Sequence, residues 1–176
     1  PDYFNQIKDY MSQMEQSALE ITTAFLEMNT IGDLLFNLFL IALIPAIGEE
    51  MLFRGVLQQK IYLILRSPHI AIIISACLFS IMHAQFFGFL PRFLLGILLG
   101  YLFYYSHNLW MPILAHFTNN GLAVLLMYPP FAKKLNLDMN AENPEVSIIF
   151  GLLSALSVLI MMYLYKQISE KKRKIN

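Results

Sequence analysis

The sequence predicts an all-α fold, a polytopic transmembrane helical bundle with about five spans and an N-terminal amphipathic helix. Three observations indicate this class. Hydrophobic residues make up 57% of the 176 residues and charged residues only 14%, whereas a soluble domain carries about 25% charged residues. Several apolar windows reach the roughly 20 residues that a membrane-spanning helix needs. The first 30 residues instead repeat apolar side chains at helical spacing.

Residues 1–30 form the predicted amphipathic helix. The side chains of one face recur every three or four residues: Ile7, Tyr10, Met11, Met14, Ala18, Ile21, Phe25 and Met28. The opposite face is acidic, whereas helices that bind anionic membrane surfaces are rich in Lys and Arg. We therefore favour a helix packed on the outer surface of the bundle, with a helix on the membrane surface as the alternative.

Five membrane spans follow this helix. They are predicted at residues 34–57, 70–87, 89–105, 110–128 and 146–165. A six-span count would divide the first span at Gly48. Gly96 and Gly100 form a small-xxx-small pair in the third span, which lets a neighbouring helix approach closely.

The predicted organisation is one domain with a defined orientation. Residues 31–128 form the helical core, 129–145 a loop, and 146–176 the last span with a basic tail. The KKRK tail places the C-terminus in the cytoplasm by the positive-inside rule. No secretory signal peptide is visible, and the start at Pro1 rather than Met suggests that upstream helices are missing.

Three ionisable residues interrupt the first span in the stretch AIGEEMLFRG. A central charged residue costs about 2.5–3.5 kcal/mol on the insertion scale, so three of them require a function or a partner. Glu50 and Arg54 are four residues apart in the favourable order for a helical ion pair. Glu49 is rotated by about 100° from Glu50 and lacks that partner. Glu49 is therefore free to act as a general base, unless the pair is a purely structural lock and Glu49 a hydrated bystander.

Two histidines and one asparagine lie in later spans. His83 follows Phe79 by four residues inside the second span, and His116 and Asn120 share one face of the fourth. Such a set suits hydrolysis of an amide bond. A carboxylate with one histidine can deprotonate water, while the other histidine and the amide can stabilise the oxyanion. The predicted catalytic residues are therefore Glu49, His83, His116 and Asn120.

The same side chains could bind a metal ion. Glu49, His83 and His116 would form a zinc shell with water as the fourth ligand. Asn120 is a poor zinc ligand, so we favour a site that needs no cofactor and keep zinc as the alternative. The net charge of zero gives no indication of nucleic-acid binding. The predicted partners are membrane lipid and a membrane-associated peptide or protein substrate.

The three windows resemble the signatures of the CPBP family of intramembrane proteases, which includes the CAAX prenyl protease of the Ras-converting type. The family patterns EExxxR, FxxxH and HxxxN match, in order, Glu49, Glu50 and Arg54, then Phe79 and His83, then His116 and Asn120. The resemblance covers roughly residues 36–127. It implies an all-helical fold with a catalytic cavity, water activation by Glu49 with His83, oxyanion stabilisation by His116 with Asn120, and support from Glu50 and Arg54. Both a glutamate and a metalloprotease mechanism have been argued for the family.

The substrate is left open by this resemblance. Eukaryotic members remove the last three residues of prenylated CAAX proteins, whereas some bacterial members are linked to bacteriocin immunity or scaffolding. The short chain is typical of bacteria, so we expect a multi-pass protein of the bacterial inner membrane.

Three other functions are less favoured. One is a non-catalytic scaffold or bacteriocin-immunity protein, and another is a proton-coupled transporter using Glu49 and His83. No inverted repeats support a transporter. The third is a Cys–His dyad, but Cys77 and His83 are six residues apart and do not share a helix face.

Overall fold

The computed structural model describes residues 2–86, 88–134, 156, 159–160, 163 and 165. Within these residues the secondary structure is helical throughout, with short turns between the helices and no strand, which confirms the predicted all-α class for this part. The helices are α1 (Asp2–Leu26), α2 (Ile31–Leu65), α3 (Pro68–Met82), α4 (Phe89–Ser106), α5 (Trp110–Met127) and α6 (Pro129–Lys134). The prediction of a loop at 129–145 is wrong for the residues of α6. Most of the predicted last span and the basic tail lie outside the described residues.

Helix α1 matches the predicted amphipathic helix. Its apolar stripe is divided between two surroundings, because Met11 and Met14 line a cavity against the turn after α3 while Ile7 and Tyr10 are exposed. The chain then enters α2 through a capping box. The Asp33 N–H donates to Thr30 Oγ1 at 3.2 Å, and the Thr30 N–H donates to Asp33 Oδ2 at 2.8 Å. Two backbone donors are thereby satisfied at the start of α2.

Helix α2 is longer than the first predicted span. It passes through Gly48 without a break, so the six-span alternative is wrong, and it continues to Leu65. Residues 58–65, which follow the predicted end of the first span, are therefore helical as well. Arg66 ends the helix in the left-handed conformation (φ 55°), and its N–H donates to the Tyr62 carbonyl at 2.8 Å.

Two widened π-helical turns, Leu38–Leu43 and Met51–Leu57, lie within α2. The first of them ends shortly before Pro45. In a regular α-helix the proline ring would clash with the carbonyl four residues earlier, and the wider turn relieves this contact. The second begins directly after Glu50 and contains Arg54. Turns of this kind are frequent at functional sites.

Helices α3 and α4 pack closely through the predicted glycine pair. A Cβ atom on Gly96 would lie 3.0 Å from Ala76 Cβ, and one on Gly100 would lie 2.8 Å from Ile72 Cγ2. The first distance is tighter than most Cβ contacts and the second is shorter than real ones, so a side chain at either position would require its neighbour on α3 to move. The predicted close approach is confirmed.

The glycine backbone also accepts hydrogen bonds from α2. Arg54 Nη2 donates to the Gly96 carbonyl at 2.9 Å, and Gln58 Nε2 donates to the Gly100 carbonyl at 3.2 Å. Both donors are buried. These two bonds, one helical turn apart, fix the register of α2 against α4.

Two helices of the described chain, α2 and α4, are long and apolar enough to cross a membrane, and α3 is a shorter apolar helix. The fourth predicted span corresponds to α5. A helical membrane protein is consistent with these lengths, while the count of five spans stays a prediction.

Candidate active site

Helices α2, α3 and α5 bring together one carboxylate and two imidazoles. Glu49 Oε2 lies 3.9 Å from His83 Nε2 and 3.8 Å from His116 Nε2. The same oxygen is buried and has no hydrogen-bond partner in the described part of the protein. Three of the four predicted catalytic side chains therefore meet around one carboxylate oxygen.

The second carboxylate, Glu50, lies behind this cluster. Its Oε1 accepts a hydrogen bond from Arg54 Nη1 at 2.7 Å, the i to i+4 contact expected from the sequence. The same oxygen accepts a hydrogen bond from His116 Nδ1 at 2.8 Å. The sequence gives no indication of this second contact, because the spacing of residues within a helix does not predict contacts between helices.

Both histidines direct the same nitrogen at Glu49. His83 Nδ1 lies 2.9 Å from the Phe79 carbonyl, and His116 Nδ1 lies 2.8 Å from the Glu50 carboxylate. These oxygens only accept hydrogen bonds, so Nδ1 carries the hydrogen in each ring. In the neutral rings Nε2 is then an acceptor with a free lone pair. Each imidazole can take a proton on the side that faces Glu49.

Phe79 packs between the charged and imidazole groups. Its ring makes edge contacts with His83 and His116 at centroid distances of 5.0 Å and 5.7 Å, and with Phe53 at 5.3 Å. The Arg54 guanidinium carbon lies 4.9 Å from the centre of the same ring, within the range of a cation–π interaction. The aromatic residue of the FxxxH pattern thus fixes both histidines against the ion pair.

Accessibility differs across the site. The side chains of Glu49 and His83 are 20% and 27% exposed, whereas Glu50, Arg54 and His116 are almost completely buried. The expectation that His83 lies inside the second span is wrong, because α3 ends at Met82 and Ala84 turns the chain with φ 53°. The predicted last residue of the second span, residue 87, lies outside the described residues. Glu49 and His83 are the more accessible members of the cluster.

Asn120 lies one helical turn after His116 on α5. Its Oδ1 accepts a hydrogen bond from Asn119 Nδ2 at 3.1 Å, which leaves the Asn120 amide hydrogens as donors. Among the residues that the structure describes, no hydrogen bond joins Asn120 to the Glu49 cluster.

The donor types fit the alternative of a zinc ion, since one carboxylate and two Nε2 atoms are suitable ligands. Their arrangement does not form a ready cation site. No group of three or more His, Cys, Asp or Glu side chains in the described ranges has the spacing to hold a metal ion. The choice between the metal-free and the zinc site stays a prediction.

Two polar residues near the site are not predicted from the sequence. Gln58 follows Arg54 by four residues and binds the Gly100 carbonyl. Arg92, in the first turn of α4, donates from Nη2 to Gln85 Oε1. A single arginine in the apolar stretch PRFLLGILLG is the signal that could have identified it.

The fold and the site define a class, an α-helical membrane protein with a polar carboxylate–histidine cluster between its helices. The chain belongs to the Rce1-like family, described as type II CAAX prenyl endopeptidase Rce1-like, which matches residues 31–122. This range contains α2, α3, α4 and most of α5, and with them every candidate site residue. The family consists of membrane-embedded proteases, so the predicted family resemblance is confirmed.

The chain is also similar to a curated protein whose name states no function. The uncharacterized protein YpbD of Bacillus subtilis (strain 168) is 34% identical over 116 residues, which cover 62% of this chain and 55% of that protein. The chain therefore spans about half the length of this relative. No solved structure matches the chain.

Proposed function

We propose that the protein is an intramembrane endopeptidase that hydrolyses a peptide bond of a membrane-associated or CAAX-like substrate. The observation that supports this most directly is the convergence of His83 Nε2 and His116 Nε2 on Glu49 Oε2, at 3.9 Å and 3.8 Å. Membership of a protease family agrees with this reading of the cluster.

The chemical step begins with a water molecule bound by Glu49. Separations of 3.8–3.9 Å are too long for a direct hydrogen bond, and they suit a water that contacts the carboxylate and an imidazole together. Glu49 accepts a proton from this water, and the water oxygen attacks the carbonyl carbon of the peptide bond. The proton then passes to the leaving nitrogen as the carbon–nitrogen bond breaks.

The oxyanion of the intermediate needs hydrogen-bond donors. Asn120 offers its amide hydrogens, because its Oδ1 is already used by Asn119. His116 uses its Nδ1–H on Glu50, so it donates from Nε2 only when that nitrogen also carries a proton. We assign Asn120 as the first donor and His116 as the second. Glu50 and Arg54 keep His116 in place.

We propose that the protein lies in a bacterial membrane with its C-terminus in the cytoplasm. The family is membrane-embedded, and the basic C-terminal tail supports a cytoplasmic C-terminus. The similarity to a Bacillus protein agrees with a bacterial cytoplasmic membrane, which in bacteria with two membranes is the inner one.

The test is cleavage of membrane-anchored peptides by the purified protein in detergent, with ¹⁸O-labelled water and mass spectrometry. We expect the N-terminal product of each cleaved peptide to carry one labelled oxygen at its new carboxylate, and the C-terminal product, which gains an amine, to carry none. A chelator and metal analysis of the same sample decide between the metal-free and the zinc mechanism. Failure of the wild-type protein to cleave any peptide of a broad library contradicts the proposal and favours a scaffold.

A further inference from the structure

A guanidinium group next to the candidate site has an unused donor. Arg92 is partly buried, and its Nη2 is bound to Gln85. Its Nη1 is inaccessible to solvent and has no hydrogen-bond partner in the described part of the chain. A buried donor without a partner is costly, more so on a charged group. A ligand that accepts this hydrogen bond would remove that cost.

The backbone makes room for this guanidinium. A Cβ atom on Gly88 would overlap the Arg92 side chain, so the glycine permits its position. Gln85 also lines a cavity of about 210 Å³ between α1 and the turn after α3. Through Gln85, Arg92 therefore lies next to a cavity whose lining also includes Ala84, the residue directly after His83.

Two carboxylates of the described chain interact with the charge of Arg92. They belong to Glu15 in α1 and Glu49 in α2. Glu15 Oε2 is also buried without a hydrogen-bond partner. The charge of Arg92 is thus shared between the carboxylate of α1 and that of the proposed general base, and the structure shows no hydrogen bond from Arg92 Nη1 to either of them.

We propose that Arg92 binds a carboxylate of the peptide that Glu49 attacks. The proposal rests on the proposed function and names a chemical feature of its substrate. A peptide carboxylate that arrives near Glu49 is repelled by the like charge, and Arg92 offsets this repulsion. The guanidinium fork is suited to carboxylates, which it binds through two hydrogen bonds. The carboxylate belongs either to the C-terminus of the peptide or to an Asp or Glu side chain.

The experiment uses lipid-anchored peptides that differ in one charge. The first pair ends in a free carboxylate or in a carboxamide, and the second pair, both carboxamides, has Glu or Gln next to the end. One of the pairs should show a preference for the acid of at least about tenfold in kcat/KM. The preference should fall to about 1 in Arg92→Gln and persist in Lys60→Gln, which removes an exposed cation of α2. The pair that responds identifies the source of the carboxylate.

A binding measurement separates this inference from the proposed function. Glu49→Gln protein should bind the acid peptide more tightly than its amide, and Glu49→Gln/Arg92→Gln protein should not. Equal cleavage of acid and amide by the wild type in both pairs, or an unchanged preference in Arg92→Gln, overturns the inference and leaves the protease. Arg92-dependent binding of the acid without any cleavage by the wild type keeps the carboxylate site and contradicts the protease.

Discussion

The imidazole of His116 and the carboxylate of Glu50, which lie on different helices, are joined by a 2.8 Å hydrogen bond. Because Arg54 donates to the same oxygen at 2.7 Å, Glu50 links the ion pair of α2 to the histidine of α5. The two adjacent glutamates therefore differ in surroundings: Glu50 is enclosed and paired, while Glu49 is partly accessible and faces two imidazoles.

Glu50→Gln should destabilise the protein. The substitution leaves the buried Arg54 without its counter-charge, and breaking a buried pair costs about 3–5 kcal/mol. Unfolding of the purified variant in detergent measures this loss. Glu27→Gln, at an exposed glutamate, is the control and should stay within about 0.5 kcal/mol of the wild type. Equal stability of the two variants would show that Glu50 is not a structural partner.

Gly96→Ala should weaken the packing of α3 on α4. The new methyl group would lie 3.0 Å from Ala76 Cβ and 3.1 Å from its Cα, and overpacking of this kind costs about 1–3 kcal/mol. Gly48→Ala is the matched control, because a Cβ there meets no atom within 4 Å. In a helix interior that change stabilises by about 0.5–1 kcal/mol. Thermal unfolding should therefore shift in opposite directions, and a shift in the same direction argues against the close contact.

Phe79→Leu should lower the rate of peptide cleavage strongly and the free energy of unfolding only slightly. The ring contacts both imidazoles and the Arg54 guanidinium, and a displacement of about 1 Å in a catalytic group can cost 10²-fold. We expect kcat to fall by about 10- to 100-fold with a smaller change in KM. Phe131→Leu, at an exposed ring of α6, should leave kcat unchanged. A rise in KM alone, with kcat intact, would contradict the role of Phe79 in positioning the histidines.

The helical class, the Glu50–Arg54 pair and the glycine contact could be predicted because they depend on local spacing. Residues four apart on a helix face the same way, so Glu50 and Arg54 need no knowledge of the rest of the fold. Gly96 and Gly100 indicate a close neighbour for the same reason, although the pattern does not say which helix it is.

Features that depend on contacts between helices could not be predicted. The His116–Glu50 bond and the binding of Gln58 to the Gly100 carbonyl join residues far apart in the chain. The end of α3 before His83 could not be predicted either, because apolar residues continue past it and composition does not distinguish an apolar helix from an apolar turn. The continuous span at 34–57 already passes through Pro45, but the widened turn that relieves the clash of the proline ring could not be predicted.

The most direct test compares kcat of Glu49→Gln with that of Glu27→Gln on one lipid-anchored peptide, after both proteins are shown to unfold like the wild type. The account predicts that Glu49→Gln loses about 10²–10⁴-fold in kcat while Glu27→Gln retains the wild-type rate. A Glu49→Gln protein that cleaves at the wild-type rate would contradict the assignment of Glu49 as the general base.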